Sequence, residues 1–271
     1  MAKGEVRLES SFELLSQDEW DAYLSVDYFD KLRIDQDALR VSEGGLPNLQ
    51  SPRLAEMIKE HNNKVGALAT TYALCRHYFD KGIPDDPWCV SPGSHGSSMQ
   101  YMPLFQQEHW GRQFWFGYFS EVYYLKMFSI WDSVIQILNH YYGLNYKSDF
   151  RLRSRVMNWL KANSTKVFCL LNEIADTGVH KEAKRFRNAA AHDVSPNAVS
   201  KTVKCERGKF EYYDGMDQHG RMIKKWDILE RISLERGDYT NVATIMENMG
   251  DYAMLLGITI EGVVCELTLK T

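Results

Sequence analysis

An arginine, an asparagine and a histidine stand close together near residue 190 and form the most chemically suggestive group in the chain. Arg187 is followed directly by Asn188, and His192 lies five residues after the arginine, at the end of a basic segment. An arginine side chain stays charged, and an imidazole can accept or release a proton near neutral pH. Together these groups can stabilise a phosphate and move the protons that phosphodiester cleavage requires, without a metal ion.

The spacing of this motif is not specific by itself, because a chain of this composition is expected to contain such an Arg–His pair roughly once by chance. Its surroundings add information. Three alanines separate Asn188 from His192, a basic amphipathic stretch over residues 180–186 precedes the motif, and Pro196 predicts the end of the helix. A histidine near a helix C-terminus and next to Asp193 is placed to act as an acid or a base.

Basic residues are concentrated around the motif. Between Lys147 and Arg187 the chain has ten basic and four acidic residues, a local net charge of +6, whereas the whole chain carries −4. A polyanion would be attracted to this region rather than to the acidic remainder of the chain. The same pattern is also typical of a solvated helix face, so charge alone leaves both interpretations open.

A second set of residues lies upstream, in an aromatic segment. The sequences FSIWD at 128–132 and QILNHYYGL at 136–144 place Asp132 and Asn139 seven residues apart on one helical face. Together with the Arg187-Asn188 and His192 motif, this segment resembles the HEPN superfamily, named for higher eukaryotes and prokaryotes nucleotide-binding. The resemblance covers roughly residues 110–200, and the C-terminal helix is expected to belong to the same core.

The resemblance implies an all-α, HEPN-like helical bundle that cleaves RNA by attack of the ribose 2′-hydroxyl on the adjacent phosphate, in a cleft between two protomers. Carried over by position, His192 would activate the hydroxyl or protonate the leaving oxygen, Arg187 would stabilise charge on the phosphate, and Asn188 would orient the pair. Other residues would bind substrate or support the site; these are Arg185, Lys184 and Lys181 for binding, and Asp132, Asn139 and Asp193 for support. The expected partners are RNA, a second copy of the chain and an antitoxin or other regulatory protein, with no cofactor.

Two observations keep other interpretations open. Arg185 fits a looser spacing, with six residues between it and His192, so the choice of Arg187 depends on the adjacent Asn188. HEPN toxins that are controlled by nucleotide transfer carry a tyrosine two residues after the histidine, where this chain has Val194. The alternative to a toxin-like or defence-related endoribonuclease is a non-catalytic helical module that binds a nucleotide or a protein partner.

Length and composition indicate a single domain over residues 1–271 that is expected to be cytoplasmic. The chain is 44% hydrophobic, and no repeat, low-complexity linker or long charge block divides it. Its charged first residues lack the apolar core of a signal peptide, and no stretch is apolar enough to span a membrane. Five scattered cysteines without a Cys-x-x-Cys pair are expected to be reduced and mostly buried, and a metal site is not supported.

Several helices and one hairpin are predicted outside the motif. Helices are expected over residues 16–33, 53–81, 110–142 and 239–267, and the third should be central because it is apolar on almost every side. Glycines and a β-branched run make strands an alternative for the last of these. Residues 84–103, rich in proline and glycine, predict a loop, and residues 200–226 a short β-hairpin or an irregular excursion with a turn at Asp214 and Gly215. The HEPN-like core would comprise residues 110–200 and 239–267.

Overall fold

The computed structural model divides the chain into two compact units. It describes residues 11–39, 52–86, 88–92, 98–192, 195–198, 203–234 and 239–269, and only the backbone for 88–92, 98–102, 203–211 and 227–234. The larger unit comprises Met1–Ile83, Gln106–Ser195 and Val242–Thr271, and the smaller unit comprises Pro84–Phe105 and Pro196–Asn241. The candidate motif on residues 187–192 belongs to the larger unit.

Within the described residues, the larger unit is built from helices alone, which confirms the all-α prediction. The helices are α1 (Gln17–Leu24), α2 (Asp27–Lys31), α3 (Pro52–Asp80), α4 (Gln107–Tyr141), α5 (Leu152–Asn163), α6 (Thr165–Asp176), α7 (Gly178–His192) and α8 (Val242–Thr268). Helices α1, α2 and α3 form the expected N-terminal helical extension. The helix-or-strand alternative at the C-terminus is settled in favour of a helix.

Helix α4 lies at the centre of the larger unit, as its aromatic content predicts, and contacts α3, α5, α7 and α8. Phe116, Tyr123 and Trp131 are fully buried on it. The Tyr123 hydroxyl donates a hydrogen bond to the Met249 carbonyl oxygen of α8 at 2.7 Å, so its polar tip is satisfied inside the core. Tyr118, on the opposite edge, is exposed. The rings that α4 buries are therefore core rather than a surface for stacking bases.

The predicted single helix over residues 16–33 is wrong, because the chain forms two helices there. The capping box at the start is present, since the Ser16 hydroxyl accepts from the Glu19 backbone while the Glu19 carboxylate accepts from the Ser16 backbone. Helix α1 ends at Leu24, Ser25 turns its hydroxyl back to the Ala22 carbonyl at 2.8 Å, and Val26 is extended before α2 begins. A local side-chain hydrogen bond and a β-branched residue thus interrupt the helical period.

Helices α5, α6 and α7 make up the basic segment that leads to the motif. Each buries residues at helical spacing and leaves most of its charged residues exposed or half-buried; the buried ones are Leu152, Val156 and Leu160 on α5, Val167, Leu171 and Ile174 on α6, and His180, Ala183 and Phe186 on α7. Helices α6 and α7 both pack on α8. This packing fixes the orientation of α7 and therefore decides which of its side chains reach solvent.

The smaller unit contains two antiparallel strand pairs. Strands β1 (Trp88–Pro92) and β2 (Ser98–Pro103) pair where a loop is predicted, so that prediction is wrong for the two strands; residues 93–97 between them lie outside the described residues. Strands β3 (Val203–Met216) and β4 (Met222–Leu234) confirm the hairpin. Its turn is at residues 217–221 rather than at Asp214 and Gly215, because the Asp217 carboxylate accepts from the backbone N–H groups of His219 and Arg221, each at 2.8 Å.

Candidate functional site on helix α7

Helix α7 has one buried face and one open face, and the motif occupies the open end. Thr177 caps the start, where its hydroxyl accepts a hydrogen bond from the His180 backbone at 3.1 Å. Phe186 is buried against the ring of Tyr124, at 5.1 Å between centroids. The residue that follows it, Arg187, is half-buried at the edge of this contact. The core therefore holds the helix up to the motif, and the motif itself lies at the surface.

Arg187 and Asn188 are joined by a direct side-chain contact. The Arg187 Nη1 donates to the Asn188 Oδ1 at 3.1 Å, and the Asn188 side chain is otherwise exposed to solvent. The Arg187 Nε is shielded from solvent and has no hydrogen-bond acceptor among the described residues. A buried guanidinium donor without a partner costs free energy. An anion or a carboxylate within hydrogen-bonding distance of the Arg187 Nε would remove this cost.

His192 is the last residue of α7 and is exposed. The helix continues without a break from Arg187 to His192, so these two side chains leave it about 140° apart, with a rise of about 7.5 Å. Asn188 and His192 are four residues apart and share a face. Within one chain, the arginine and the histidine therefore do not converge directly on one atom. Asp193 and Val194 lie outside the described residues.

The Asp132 carboxylate on α4 is under the electrostatic influence of Arg187 and of two further cations. Partial desolvation raises the pKa of Asp132, on α4, while the positive charges of Arg153, Arg187 and Lys64 act to lower it. These four residues come from α4, α5, α7 and α3, and α4 packs against each of the other three helices. Asp132 is nevertheless exposed at the surface, and solvent moderates all of these interactions. The result is a mixed cluster with an excess of positive charge.

Arg153 is the most enclosed of these cations. Its guanidinium lies over the buried Trp131 ring, 5.1 Å from the ring centre, and burial lowers its pKa while Tyr252 and Asp132 oppose that effect. In the sequence, Arg153 is only one of many basic residues, and Lys64 lies far from the motif along the chain. The basic composition of α5 is a signal for the first of them, but nothing in the sequence pattern relates Lys64 on α3 to the motif.

The remaining predicted residues occupy different surroundings. Asn139 lies two turns beyond Asp132. Its Nδ2 donates to the Tyr146 carbonyl oxygen and its Oδ1 accepts from the Tyr146 backbone N–H, each at 3.1 Å, so it fixes the loop after α4. Arg185 is paired with Glu182 at 3.0 Å and lies over the Phe186 ring. Lys184 and Lys181 are exposed on the same helix; Lys181 Nζ donates to the Asp176 carbonyl at 2.8 Å. Asp132 is thus brought to Arg187, and Asn139 is not.

Two buried histidines are structural. His180 lies at the start of α7, with Nδ1 2.9 Å from the Tyr252 hydroxyl; burial, then the charges of Arg153 and Lys184, lower its pKa to about 4. Burial likewise lowers the pKa of His61 to about 4, where Nε2 donates to the Leu32 carbonyl oxygen at 2.8 Å. Both rings are therefore neutral near pH 7, and neither reaches the surface of the motif.

The described residues contain no group of three or more His, Cys, Asp or Glu side chains that could hold a metal ion. Nor does any helix among them have the length and apolar character needed to cross a membrane. The expectation of mostly buried cysteines is wrong where it can be checked: Cys75 is buried, whereas Cys169 and Cys265 are exposed on α6 and α8. Scattered cysteines on amphipathic helices can fall on either face.

A protein-family model matches most of the chain. The model of the Cthe2314-like HEPN family matches residues 57–252, a range that begins on α3 and ends on α8 and so includes the motif and the central helix. No curated protein and no solved structure matches the chain significantly. The family match extends well beyond the 110–200 region of the resemblance on the N-terminal side. With most of its length matched by that family model, the chain belongs to the Cthe2314-like HEPN family.

Proposed function

We propose that this HEPN protein is a cytoplasmic, metal-independent endoribonuclease whose site is the exposed end of α7. The observation that carries the proposal is the paired arrangement of Arg187 and Asn188, one turn before the exposed His192. The excess of positive charge from Arg153 and Lys64 supports the binding of a polyanion. Membership of a HEPN family and the residue types of the motif support the choice of RNA as that polyanion.

The proposed reaction is a transesterification within the RNA. The ribose 2′-oxygen bonds to the adjacent phosphorus, its proton passes to a neutral imidazole, and the bond from phosphorus to the 5′-oxygen breaks. The leaving 5′-oxygen takes a proton from an imidazolium, and the products are a 2′,3′-cyclic phosphate and a 5′-hydroxyl. His192 supplies the acid or base, and Arg187 stabilises the charge that develops on the phosphate. Asn188 holds the guanidinium in place, and Arg185, Lys184 and Lys181 bind neighbouring phosphates.

The geometry of α7 supports a site shared by two copies of the chain. Because Arg187 and His192 leave the helix about 140° apart, one phosphate is reached more easily by the arginine of one protomer and the histidine of the other. The homodimer is therefore part of the proposal, and sedimentation of the purified protein tests it. A role as a toxin or defence protein, held in check by an antitoxin or other regulatory partner, would follow from an RNA-cleaving activity.

The experiment is incubation of the full-length protein with total RNA in EDTA, followed by analysis of fragment sizes and end groups. We expect cleavage with cyclic phosphate ends that is lost in His192→Ala and in Arg187→Ala. His219→Ala is the matched control, since it removes another exposed histidine from the hairpin turn and should cleave like the wild type. Cleavage that survives in His192→Ala would contradict the proposal. RNA or protein binding without any cleavage would favour the non-catalytic module.

A further inference from the structure

An open groove between α5 and α6 lies beside the cationic cluster. Its volume is about 550 Å³, within the range of roughly 300–1,000 Å³ that is common for small-molecule sites. The α5 side contributes Arg153, Met157 and Lys161, spaced by four residues along one face of the helix. The α6 side contributes Phe168 and Asn172, again one turn apart. Each of the two helices therefore forms one wall of the groove.

The lining of this groove is cationic. Arg153 and Lys161 carry positive charge, and none of the described residues that line it is acidic. Lys161 is exposed, and no ion-pair partner for it is found in the part of the chain that the structure describes. By contrast, the guanidinium of Arg155, also on α5, forms an ion pair with the Asp149 carboxylate at 2.7 Å. An anionic ligand in the groove would therefore be attracted by two cations, and its binding would not require an existing ion pair of Lys161 to break.

Aromatic and amide groups accompany the charge. Phe150 lies at one end of the groove with 88% of its surface exposed, and the Arg151 guanidinium is 5.1 Å from its ring centre. An exposed flat ring beside cations is the arrangement on which unpaired bases stack. Asn158 and Asn172 line the same groove with exposed amides that have no hydrogen-bond partner among the described side chains and backbone. Such amides can donate to and accept from the edges of bases.

Arg153 connects the groove to the motif. Its side chain lines the groove, and its charge acts on Asp132, which in turn is influenced by Arg187. Its guanidinium also lies over the ring of Trp131, the residue before Asp132, so a ligand held by Arg153 would lie near Asp132, on which the charge of Arg187 acts. A chain of phosphates could contact the groove and the motif at the same time, whereas a single small anion would reach only one of them.

We propose that the groove between α5 and α6 binds a single-stranded segment of RNA adjacent to the scissile phosphate, with a base stacked on Phe150 and a phosphate bound by Lys161. This inference rests on the proposed function for the identity of its ligand. Single-stranded RNA fits better than a duplex, because the faces of paired bases are hidden in the stack and the base edges that Asn158 and Asn172 would contact are engaged in pairing. The stacking ring and the amides favour RNA over an acidic peptide.

The test is a binding titration in the full-length His192→Ala protein, which prevents cleavage, with a short fluorescein-labelled single-stranded RNA of mixed sequence. Phe150→Ala should raise the Kd about tenfold and leave its salt dependence unchanged, since a stacked base carries no charge. Lys161→Ala should weaken binding and also reduce the slope of log Kd against log salt by about 0.7, as expected for one lost phosphate contact. The matched duplex should bind more weakly than the single strand.

Two control substitutions lie outside the groove. Phe114→Ala removes an exposed aromatic ring from α4, and Lys166→Ala removes a cation of α6 that contacts Glu266 at 3.3 Å. Both should bind the single-stranded RNA like the parent protein. The inference is overturned if Phe150→Ala and Lys161→Ala bind RNA as the parent does, or if the protein binds no RNA. It is also overturned if a polyglutamate peptide, rather than RNA, binds at the groove.

The outcomes for the groove and for the ribonuclease are separable. Cleavage by the wild-type protein that is abolished in His192→Ala but unchanged in Phe150→Ala and Lys161→Ala would support the ribonuclease and overturn the groove. Binding of RNA that depends on Phe150 and Lys161, in a protein that cleaves no RNA, would support the groove and contradict the ribonuclease.

Discussion

Helix α7 carries a histidine near each end, and the two side chains have opposite surroundings. His180, in the first turn, is 4% exposed, touches the rings of Phe128 and Trp131, and is hydrogen-bonded to the Tyr252 hydroxyl. His192, at the last position, is exposed. The same residue type therefore serves the core at one end of the helix and is available for chemistry at the other.

Burial rather than residue type separates the two roles. Desolvation drives the pKa of His180 down to about 4, so its ring stays neutral and acts as a fixed hydrogen-bonding group. A ring that must exchange protons with a substrate needs contact with that substrate, which only the open end of α7 provides. The arginines follow the same division: Arg185 is engaged by Glu182, whereas Arg187 contacts Asn188 and its charge acts to lower the pKa of Asp132.

The largest effect on stability is expected where the core meets the motif. Phe186→Ala should lower the free energy of unfolding by about 3–5 kcal/mol, because Phe186 is 1% exposed and its removal leaves a cavity against Tyr124. Asn188→Ala, two residues further along, should change that free energy by less than about 0.5 kcal/mol. Urea denaturation measures both. Similar losses for the two variants would contradict the division of α7 into a structural and a chemical part.

The two arginines should differ in their effect on catalysis. Arg187→Ala should reduce the rate of RNA cleavage by about 10²–10³-fold, equivalent to about 2.7–4 kcal/mol of transition-state stabilisation. Arg185→Ala should reduce it by less than about tenfold, because a peripheral phosphate contact affects binding more than chemistry. Single-turnover rates on one purified RNA distinguish the two. A larger loss in Arg185→Ala would favour the looser spacing that the sequence leaves open.

The buried histidines predict a loss of stability in mild acid. His180 and His61 titrate near pH 4 in the folded protein, against an ordinary value of 6.5, so between these limits the unfolded chain binds more protons. The contribution of these two histidines to the free energy of unfolding should therefore be fully present above pH 6.5. It should fall as the pH decreases to 4, by at most about 3 kcal/mol for each histidine.

Substitutions of the two α7 histidines assign this pH dependence. Denaturation series between pH 7 and 4 should show a slope that becomes shallower in His180→Asn, which keeps a polar group near Tyr252 but does not titrate. His192→Ala should leave most of the slope in place. A slope that disappears in His192→Ala and persists in His180→Asn would reverse the roles of the two ends.

The smallest effect is expected at the surface ion pair of α7. Glu182→Gln removes the carboxylate that Arg185 contacts, but both side chains of the pair are more than a third exposed. The free energy of unfolding should change by less than about 0.5 kcal/mol, since solvent screens such pairs. Thermal denaturation with Asn188→Ala as the comparison measures this. A loss above 1 kcal/mol would show that the open face of α7 contributes to the fold.

The sequence predicts the helices whose pattern is strong and local. Helix α4 is evident because it is apolar on nearly all sides, and the start of α1 is evident from Ser16 and Glu19. The break at Ser25 and Val26 is missed, since the apolar period continues across it. The β1–β2 pair is missed because a run rich in proline and glycine resembles a loop until its backbone hydrogen bonds are seen.

The motif is predictable from adjacent residues, whereas its surroundings are not. Arg187 and Asn188 are neighbours in the chain, so their contact needs no knowledge of the fold. Lys64 is brought near Asp132 only by the packing of α3 on α4, which no local pattern encodes. The seven-residue spacing of Asp132 and Asn139 suggests a shared role, but Asn139 is bound to the Tyr146 backbone instead.

The most direct test of the division of α7 measures RNA cleavage and unfolding on the same samples of two variants. In EDTA, His192→Ala should lose at least about a hundredfold in cleavage rate while its free energy of unfolding stays within about 0.5 kcal/mol of the wild type. His180→Asn should lose stability and retain cleavage under conditions in which it is folded. Cleavage that persists in His192→Ala, or a large loss of stability in that variant, would contradict the proposal that the exposed end of α7 is the site.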